Sequence, residues 1–271
     1  MKILKSIFEY YLHSSIHVSI AVWSLYKISF IYFNSPYIQY LDCLVITSSI
    51  VGYNKIKFGS IFLKNKKLVS NEIKVTSVLA FLIGFWCFIK IDLLIKIIFL
   101  LSFIVVLIYS IPNPFSKKNM RNTNGIKIFL VAFSWTLVTY FSLLNEMKDE
   151  NFIQYFIMGL QRFIFVLVAT IPFEIRDINL DENELRTIPQ KFGIFKSKII
   201  GVSLLIINSL FFFKIENINI YYVILELFIY STLAYALVNV TKYKTLNYTR
   251  FWVEGIPIFW VFNLFLLSQL F

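Results

Sequence analysis

The chain has 271 residues, of which 58% are hydrophobic and 15% are charged, and its formal net charge is +11. Soluble globular domains carry about 25% charged residues, so the composition excludes a soluble, disordered or fibrous protein. Apolar runs of membrane-spanning length predict an all-α bundle of nine transmembrane helices, forming a single domain over residues 1–271. An amphipathic run over 2–12 predicts a short interfacial helix before them. In chain order, the predicted spans are 15–33, 38–56, 75–90, 92–111, 126–144, 152–174, 197–213, 220–240 and 255–271.

Basic residues are distributed unevenly among the predicted loops. Twenty of the 26 lysines and arginines precede the first span or lie in the loops after the second, fourth, sixth and eighth spans. Basic loops remain on the cytoplasmic side of a membrane, so this bias predicts a cytoplasmic N-terminus. The positive charge does not favour a nucleic-acid partner, because no basic soluble segment carries it.

Acidic side chains are concentrated in the loop after the sixth span. Five of the 15 acidic residues lie between 171 and 193, and Asp177 and Asp181 have the i, i+4 spacing of one helix face. Clustered carboxylates favour a shared hard cation such as Mg2+, which is typically held together with substrate phosphates. Arg176 and Arg186 lie among them and match the charge of a diphosphate. The alternative is a solvated loop whose charges merely flank a membrane helix.

The segment Asp177-x-x-x-Asp181, followed by Arg186-Thr-Ile-Pro, resembles the second aspartate motif of the UbiA-type intramembrane prenyltransferases. This resemblance implies transfer of an isoprenyl group from a prenyl diphosphate to a hydrophobic or aromatic acceptor within the lipid bilayer. It implies that Asp177 and Asp181 are the catalytic residues and Mg2+ ligands, and a bacterial plasma membrane is the expected location. It also implies diphosphate contacts from the second and fourth predicted helices and from the loops after the fourth and sixth: Asn54, Tyr109, Lys117, Lys118, Arg121 and Arg186.

The first aspartate motif of this family is altered in the chain. Asn54 stands for its leading asparagine, but Phe58 and Phe62 occupy the positions of its two carboxylates. The neighbouring Lys55 and Lys57 are expected to neutralise the diphosphate directly, as point charges. The loss of carboxylates leaves open a non-catalytic relative that binds or moves an isoprenoid or lipid. A small-solute transporter is a third interpretation.

Several other side chains have two interpretations. Aromatic rings at membrane depth either line a chamber that stabilises an allylic cation or pack against helices and lipid. The candidates are Trp23, Tyr26, Phe133, Trp135, Tyr140 and Phe163. Arg162 and Glu226 form either a structural pair or part of an acceptor or headgroup pocket. His13 and His17 are four residues apart, but the absence of further ligands nearby favours a structural or interfacial role.

Overall fold

Ten α-helices make up the described part of the chain in a computed structural model, which confirms the predicted all-α class. It describes residues 2–64, 69–110, 125–146, 152–180, 186–215 and 219–269, without the side chains of 2, 3, 60–64, 109, 110, 145 and 146. The helices are α1 Lys2–His13, α2 Ile16–Tyr32, α3 Leu41–Lys64, α4 Asn71–Lys90, α5 Leu93–Ser110, α6 Lys127–Thr139, α7 Phe152–Asp177, α8 Ile188–Leu210, α9 Ile220–Asn239 and α10 Ile256–Ser268.

Most helices begin and end within a few residues of the predicted bounds, but α3 and α8 are longer than predicted. Helix α3 continues to Lys64, well beyond its apolar run. Helix α8 begins at Ile188 because the Thr187 side chain accepts a hydrogen bond from the Gln190 N–H while the Gln190 side chain accepts one from the Thr187 N–H. A kink at Gly193, with φ of 79°, separates this polar first part from the apolar remainder.

Helix α2 lies at the centre of the bundle. It packs against α3, α6 and α10, and its buried residues belong to two hydrophobic clusters. One cluster joins α2 to α6–α10 and includes Phe165 and Trp260, whose rings meet edge to face at 5.2 Å. The other joins α2 to α3, α4, α5 and α6 and includes Tyr26 and Phe99. The two packed groups of helices therefore share α2, which contributes buried residues to both.

The outer surface of the bundle is largely apolar. Large hydrophobic side chains are exposed along α4, α5, α8, α9 and α10, among them Trp86, Leu100, Phe228 and Phe262. A continuous apolar exterior of this extent matches the lipid of a bilayer. Six segments in the described part of the chain are long and apolar enough to cross a membrane. The protein is therefore an integral membrane protein, while the number of nine membrane crossings stays a prediction.

Candidate functional site

A polar cluster lies where α2 begins and α7 ends, beside the second half of α3. The Ser15 hydroxyl donates to Asn54 Oδ1 at 2.8 Å and accepts from Lys57 Nζ at 3.0 Å. On its other side, Asn54 Nδ2 donates to the Ser77 hydroxyl of α4 at 2.9 Å. Asn54 is buried, and its amide is held from both sides. Three helices are thus tied together at one end of the bundle, which we call the polar mouth.

Charged side chains from α7 and from the π-helical turn Tyr248–Val253 complete the polar mouth. Arg176 forms a bidentate pair with Asp177, with N–O distances of 2.7 and 2.5 Å, and also donates to the Thr249 hydroxyl. Three cations, Lys57, Arg250 and Arg176, lie within electrostatic range of the half-buried carboxylate of Glu254. Burial lowers the pKa of Lys57, Glu254 counteracts this shift and Arg250 adds to it.

Helix α1 packs against this end of the bundle. His17 Nε2 donates to the Phe251 carbonyl oxygen at 3.0 Å, and Nδ1 forms a hydrogen bond with the Tyr11 hydroxyl at 2.8 Å. The rings of Phe8 and Phe251 meet at 5.2 Å, and the hydroxyls of Tyr10 and Thr76 lie 2.5 Å apart. His17 therefore joins α1 to the π-helical turn, which is the structural role that the sequence favours.

An apolar chamber of about 460 Å³ lies next to the polar mouth. Its walls come mainly from α3, α4, α5 and α6, and polar atoms contribute little to them. Gly52 and Ile56 of α3 line the chamber, whereas Asn54 and Lys57, on the same two turns, belong to the mouth. A volume of this size falls within the range of about 300–1,000 Å³ that is usual for ligand sites. One short stretch of α3 thus separates a charged region from a large apolar one.

The chamber opens sideways toward the lipid-facing surface. Phe81 and Phe85 of α4 and Leu100 and Phe103 of α5 line it and are each about half exposed. Helix α3 packs closely on α4, and α5 on α6, but α4 and α5 do not pack closely on each other. An apolar ligand can therefore reach the chamber from the bilayer without passing through water.

The six aromatic side chains proposed to line a chamber lie in different parts of the structure. Trp135 lines the chamber, and its indole N–H donates to the Tyr53 hydroxyl, another lining residue, at 2.8 Å. Tyr26 is buried in the hydrophobic core, Phe133 is exposed, and Tyr140 borders a different, smaller cavity. Trp23 donates to Asp42 at 2.6 Å near the opposite end of the bundle, and Phe163 packs against the core. One candidate of six therefore lies beside the chamber.

The predicted site residues are placed in different surroundings. Asn54, Lys57 and Asp177 lie in the polar mouth, as described above. Lys55 points instead toward α5, where its ammonium lies 5.3 Å from the ring centroid of Phe103 at the chamber opening. Arg186 is exposed immediately before α8, with a positive φ of 45°. The remaining predicted contacts, Lys117, Lys118, Arg121, Asp181 and the side chain of Tyr109, lie outside the described residues.

The described residues do not by themselves form a metal site. Within the described part of the chain, no three histidine, cysteine, aspartate or glutamate side chains are grouped closely enough to hold a metal ion. Both carboxylate oxygens of Asp177 are engaged by Arg176, and Phe58 stands where the family has its first aspartate. Cations rather than carboxylates dominate the part of the mouth that the structure describes.

Two functional candidates in the mouth, Arg250 and Glu254, were not predicted from the sequence. Glu254 lies in the segment Trp252-Val253-Glu254-Gly255, to which the sequence analysis assigns no role. The π-helical turn before α10 brings both side chains to the ends of α3 and α7. Their sequence separation from Asn54 and Asp177 gives no sign of this proximity.

A second polar group is buried near the opposite end of the bundle. Glu226 accepts hydrogen bonds from Tyr230 at 2.6 Å and from Tyr32 at 3.1 Å, while the Arg162 guanidinium donates to the Leu25 carbonyl oxygen and lies over the Trp260 ring. Both charged residues border a cavity of about 20 Å³, which has room for about one water molecule. A lipid headgroup does not fit there, and in the described part of the chain Arg162 and Glu226 bind other partners rather than each other, so the geometry favours structural roles but not the predicted direct pair.

Comparison with known proteins identifies the fold. No family model matches the sequence. The digeranylgeranylglyceryl phosphate synthase of Saccharolobus solfataricus is 27% identical over 186 residues, which cover 67% of this chain and 62% of the relative. A solved structure of a digeranylgeranylglyceryl phosphate synthase in membranes superposes with a TM-score of 0.55 at 20% identity, covering 99% of this chain and 97% of that one. In sequence and in fold, the chain is similar to a UbiA-type prenyltransferase.

The described parts of the two sequence motifs lie near the polar mouth. In that family the second aspartate motif follows the sixth membrane helix, and here Asp177 ends α7, the sixth helix after α1. The altered first motif lies at the end of α3, where Asn54 keeps its place and Phe58 replaces a carboxylate. The described parts of the two motif regions lie at the same end of the bundle, and their role in binding a diphosphate or a metal stays a prediction.

Proposed function

We propose that the protein transfers an isoprenyl group from a prenyl diphosphate to a hydrophobic acceptor within the membrane. The observation that carries this proposal is the contact between the cationic polar mouth and the apolar chamber along α3. A prenyl diphosphate has the same two parts, a highly charged head and an apolar tail. The diphosphate is assigned to Lys57, Arg250 and Arg176, and the tail to the chamber.

The chemistry requires charge stabilisation at two places. The bond between C1 of the prenyl chain and the bridging diphosphate oxygen breaks, and its electron pair leaves with the diphosphate. The cations of the mouth stabilise the negative charge that develops there. The faces of Tyr53 and Trp135 in the chamber wall are suited to the allylic cation, which the surrounding apolar walls shield from water. A nucleophilic atom of the acceptor then bonds to C1 and releases its proton to water at the mouth.

Mg2+ enters the proposal through the resemblance, since UbiA-type enzymes generally use it. Asp177 and Asp181 are the proposed ligands, and the metal would neutralise diphosphate oxygens. The described residues alone do not supply a complete set of ligands, so the roles above rest on the protein's own cations. Arg176 would have to release Asp177 before that carboxylate could bind a metal, because it occupies both oxygens.

The proposal is tested by measuring diphosphate release from purified protein in lipid nanodiscs. Isoprenyl diphosphates of one to four isoprene units are offered with phenolic, quinone-precursor and prenylated glyceryl phosphate acceptors, with and without Mg2+. The last acceptor is included because the relative's name denotes the synthesis of digeranylgeranylglyceryl phosphate. Asp177→Asn preserves the size of the side chain and removes its charge. We expect this variant to lose turnover while remaining folded.

Asp92→Asn is the matched control, because Asp92 is an exposed carboxylate between α4 and α5 at the opposite end of the bundle. This variant should retain the turnover of the unchanged protein. Tight binding of prenyl diphosphates without release under any condition would favour the non-catalytic relative. No binding at all would refute both functions and leave a shared fold without shared chemistry.

A further inference from the structure

We propose that Cys43 of α3 and Cys87 of α4 are a dithiol pair that oxidises to a disulfide between the two helices. They are the two cysteines of the chain. Cys43 lies half-buried in the first turn of α3, and Cys87 is buried in the last turn of α4. Their thiols are in hydrogen-bonding contact with each other. The inference is independent of the proposed function, because it concerns how two helices are joined and not what the protein binds.

The packing of α3 on α4 has a fixed register. At the polar mouth, Asn54 Nδ2 donates to the Ser77 hydroxyl at 2.9 Å. Further from the mouth, a Cβ atom on Gly84 would lie 2.8 Å from the Thr47 hydroxyl oxygen. The two contacts are separated by seven residues on each helix, 47 to 54 on α3 and 77 to 84 on α4. Seven residues are about two turns, so the helices run antiparallel and the same faces stay in contact.

This register brings the two cysteines together at a narrow part of the seam. Because Gly84 has no side chain, the backbones of α3 and α4 approach each other more closely there than a larger residue would permit. Cys43 and Cys87 lie one turn beyond that contact, four residues from Thr47 and three from Gly84. A disulfide requires Cα atoms within about 7 Å and side chains that point toward each other. The narrow seam favours the first condition, and the contact between the thiols meets the second.

The cysteine pair is far from the polar mouth. Cys43 is eleven residues from Asn54 along α3, which is about 16 Å at 1.5 Å per residue. Asp42 directly before Cys43 and the exposed Asp92 after α4 place this end of the two helices near water. The predicted orientation assigns it to the outer side of the membrane, where disulfides form and persist.

The oxidant in this proposal is a disulfide of the aqueous phase, and the reaction is thiol–disulfide exchange. The thiolate of Cys43, the more accessible of the two, attacks one sulfur of the oxidant and expels the other as a thiolate. The thiolate of Cys87 then attacks the Cys43 sulfur of this mixed disulfide and expels the second thiolate. The two cysteine sulfurs are oxidised, the oxidant is reduced to two thiols, and those thiols receive the two protons.

A disulfide at this place would fix one wall of the apolar chamber. Leu44 directly follows Cys43, Phe88 directly follows Cys87, and both line the chamber. Thr47 and Gly84, one turn away, line it as well. Oxidation therefore joins α3 and α4 covalently along the wall that they share, and reduction leaves only their packing to hold it.

Oxidised glutathione is the probe, applied to the purified full chain in nanodiscs. The protein is then denatured, labelled with a maleimide and weighed by intact mass spectrometry. The reduced chain should take two labels. The treated chain should take none, carry no glutathione and stay monomeric on a non-reducing gel. In Cys87→Ser the exchange should stop at a mixed disulfide of glutathione with Cys43, because the second thiol is missing.

A shifted pair is the matched control. Cys87→Ser combined with Trp86→Cys keeps two cysteines but moves the second about 100° around α4, to a side chain position that is 59% exposed on the lipid-facing surface. This variant should not form the intramolecular disulfide, and its circular dichroism spectrum should match that of the unchanged protein.

Loss of both thiols in the unchanged protein, reversed by dithiothreitol and absent from the shifted pair, supports the proposal. Equal disulfide formation in the shifted pair would overturn it, because the register of α3 and α4 would then not determine which thiols meet. Two free thiols after the treatment, or glutathione adducts and dimers in place of the intramolecular disulfide, would overturn it as well. The assay for diphosphate release tests the proposed function separately, so the two proposals can fail independently.

Discussion

The hydrogen bond between Tyr230 and Glu226 should make a measurable contribution to stability. Both side chains are buried, and the hydroxyl donates to Glu226 Oε1 at 2.6 Å while accepting from Asn208 Nδ2 at 2.9 Å. Tyr230→Phe removes the hydroxyl and keeps the ring, which stacks on Phe165 and Phe212. The packing is therefore preserved, and the variant isolates the polar interaction.

The expected loss can be worked out from these contacts. A hydrogen bond to a charged group contributes about 1.5–3 kcal/mol, whereas side-chain hydrogen bonds between membrane helices average about 0.6 kcal/mol. In this variant Asn208 still donates to the Gln161 carbonyl oxygen, and Glu226 still accepts the longer hydrogen bond from Tyr32, so each partner retains one hydrogen bond. We expect Tyr230→Phe to lower the free energy of unfolding by about 2 kcal/mol, or Tm by about 4–8 °C.

Thermal unfolding in detergent micelles, followed by circular dichroism, measures this loss. Tyr235→Phe is the matched control on the same helix, because Tyr235 is 72% exposed, and it should change the stability by less than about 0.5 kcal/mol. A double-mutant cycle with Glu226→Gln should give a coupling energy of at least about 1 kcal/mol. Equal stability of Tyr230→Phe and Tyr235→Phe, with no coupling to Glu226, would show that the network does not stabilise the fold.

Three further predictions concern the mouth, the packing and the orientation. Lys57→Met should weaken binding of inorganic diphosphate about tenfold. Lys55→Met should change this binding little, because Lys55 points away from the mouth. Equal effects of the two variants in a calorimetric titration would contradict this assignment. Gly201→Ala should cost about 1–2 kcal/mol in thermal unfolding, because its new methyl group meets side chains of α7 and α9; an unchanged Tm would contradict this packing. Cysteines substituted singly for Lys244 and Tyr37 should react with impermeant reagents from opposite sides of the membrane, Lys244→Cys from the cytoplasmic side. Labelling of both positions from the same side would overturn the orientation.

Hydrophobic runs predicted the helices well because a long apolar segment has few alternatives in a membrane protein. They failed at the start of α8, where Lys191 and Lys196 interrupt the apolar pattern although Thr187 and Gln190 form a capping box. That box, together with Pro189 in the first turn, was a readable signal for an earlier start. Helix ends that extend into the polar region are set by capping and charge rather than by hydropathy.

The candidate site was only partly predictable, for a different reason. Asp177 and Asn54 belong to local motifs, so their placement in the mouth could be expected from the sequence. Arg250 and Glu254 reach the same place through the π-helical turn before α10, and no short-range pattern encodes that approach. The opposite surroundings of Lys55 and Lys57 depend on which face of α3 each occupies, and this became evident only when the positions of α2 and α5 were known.

Because the chamber opens sideways between α4 and α5, its occupancy by an apolar ligand depends on the concentration of that ligand in the bilayer. A molecule that enters through Phe81, Phe85, Leu100 and Phe103 comes from the two-dimensional solvent of the bilayer. Occupancy of the chamber then follows the mole fraction of the ligand among the lipids and not its amount per litre of buffer. Adding inert phospholipid at constant bulk concentration should therefore dilute the ligand and lower occupancy, which is the behaviour known as surface dilution.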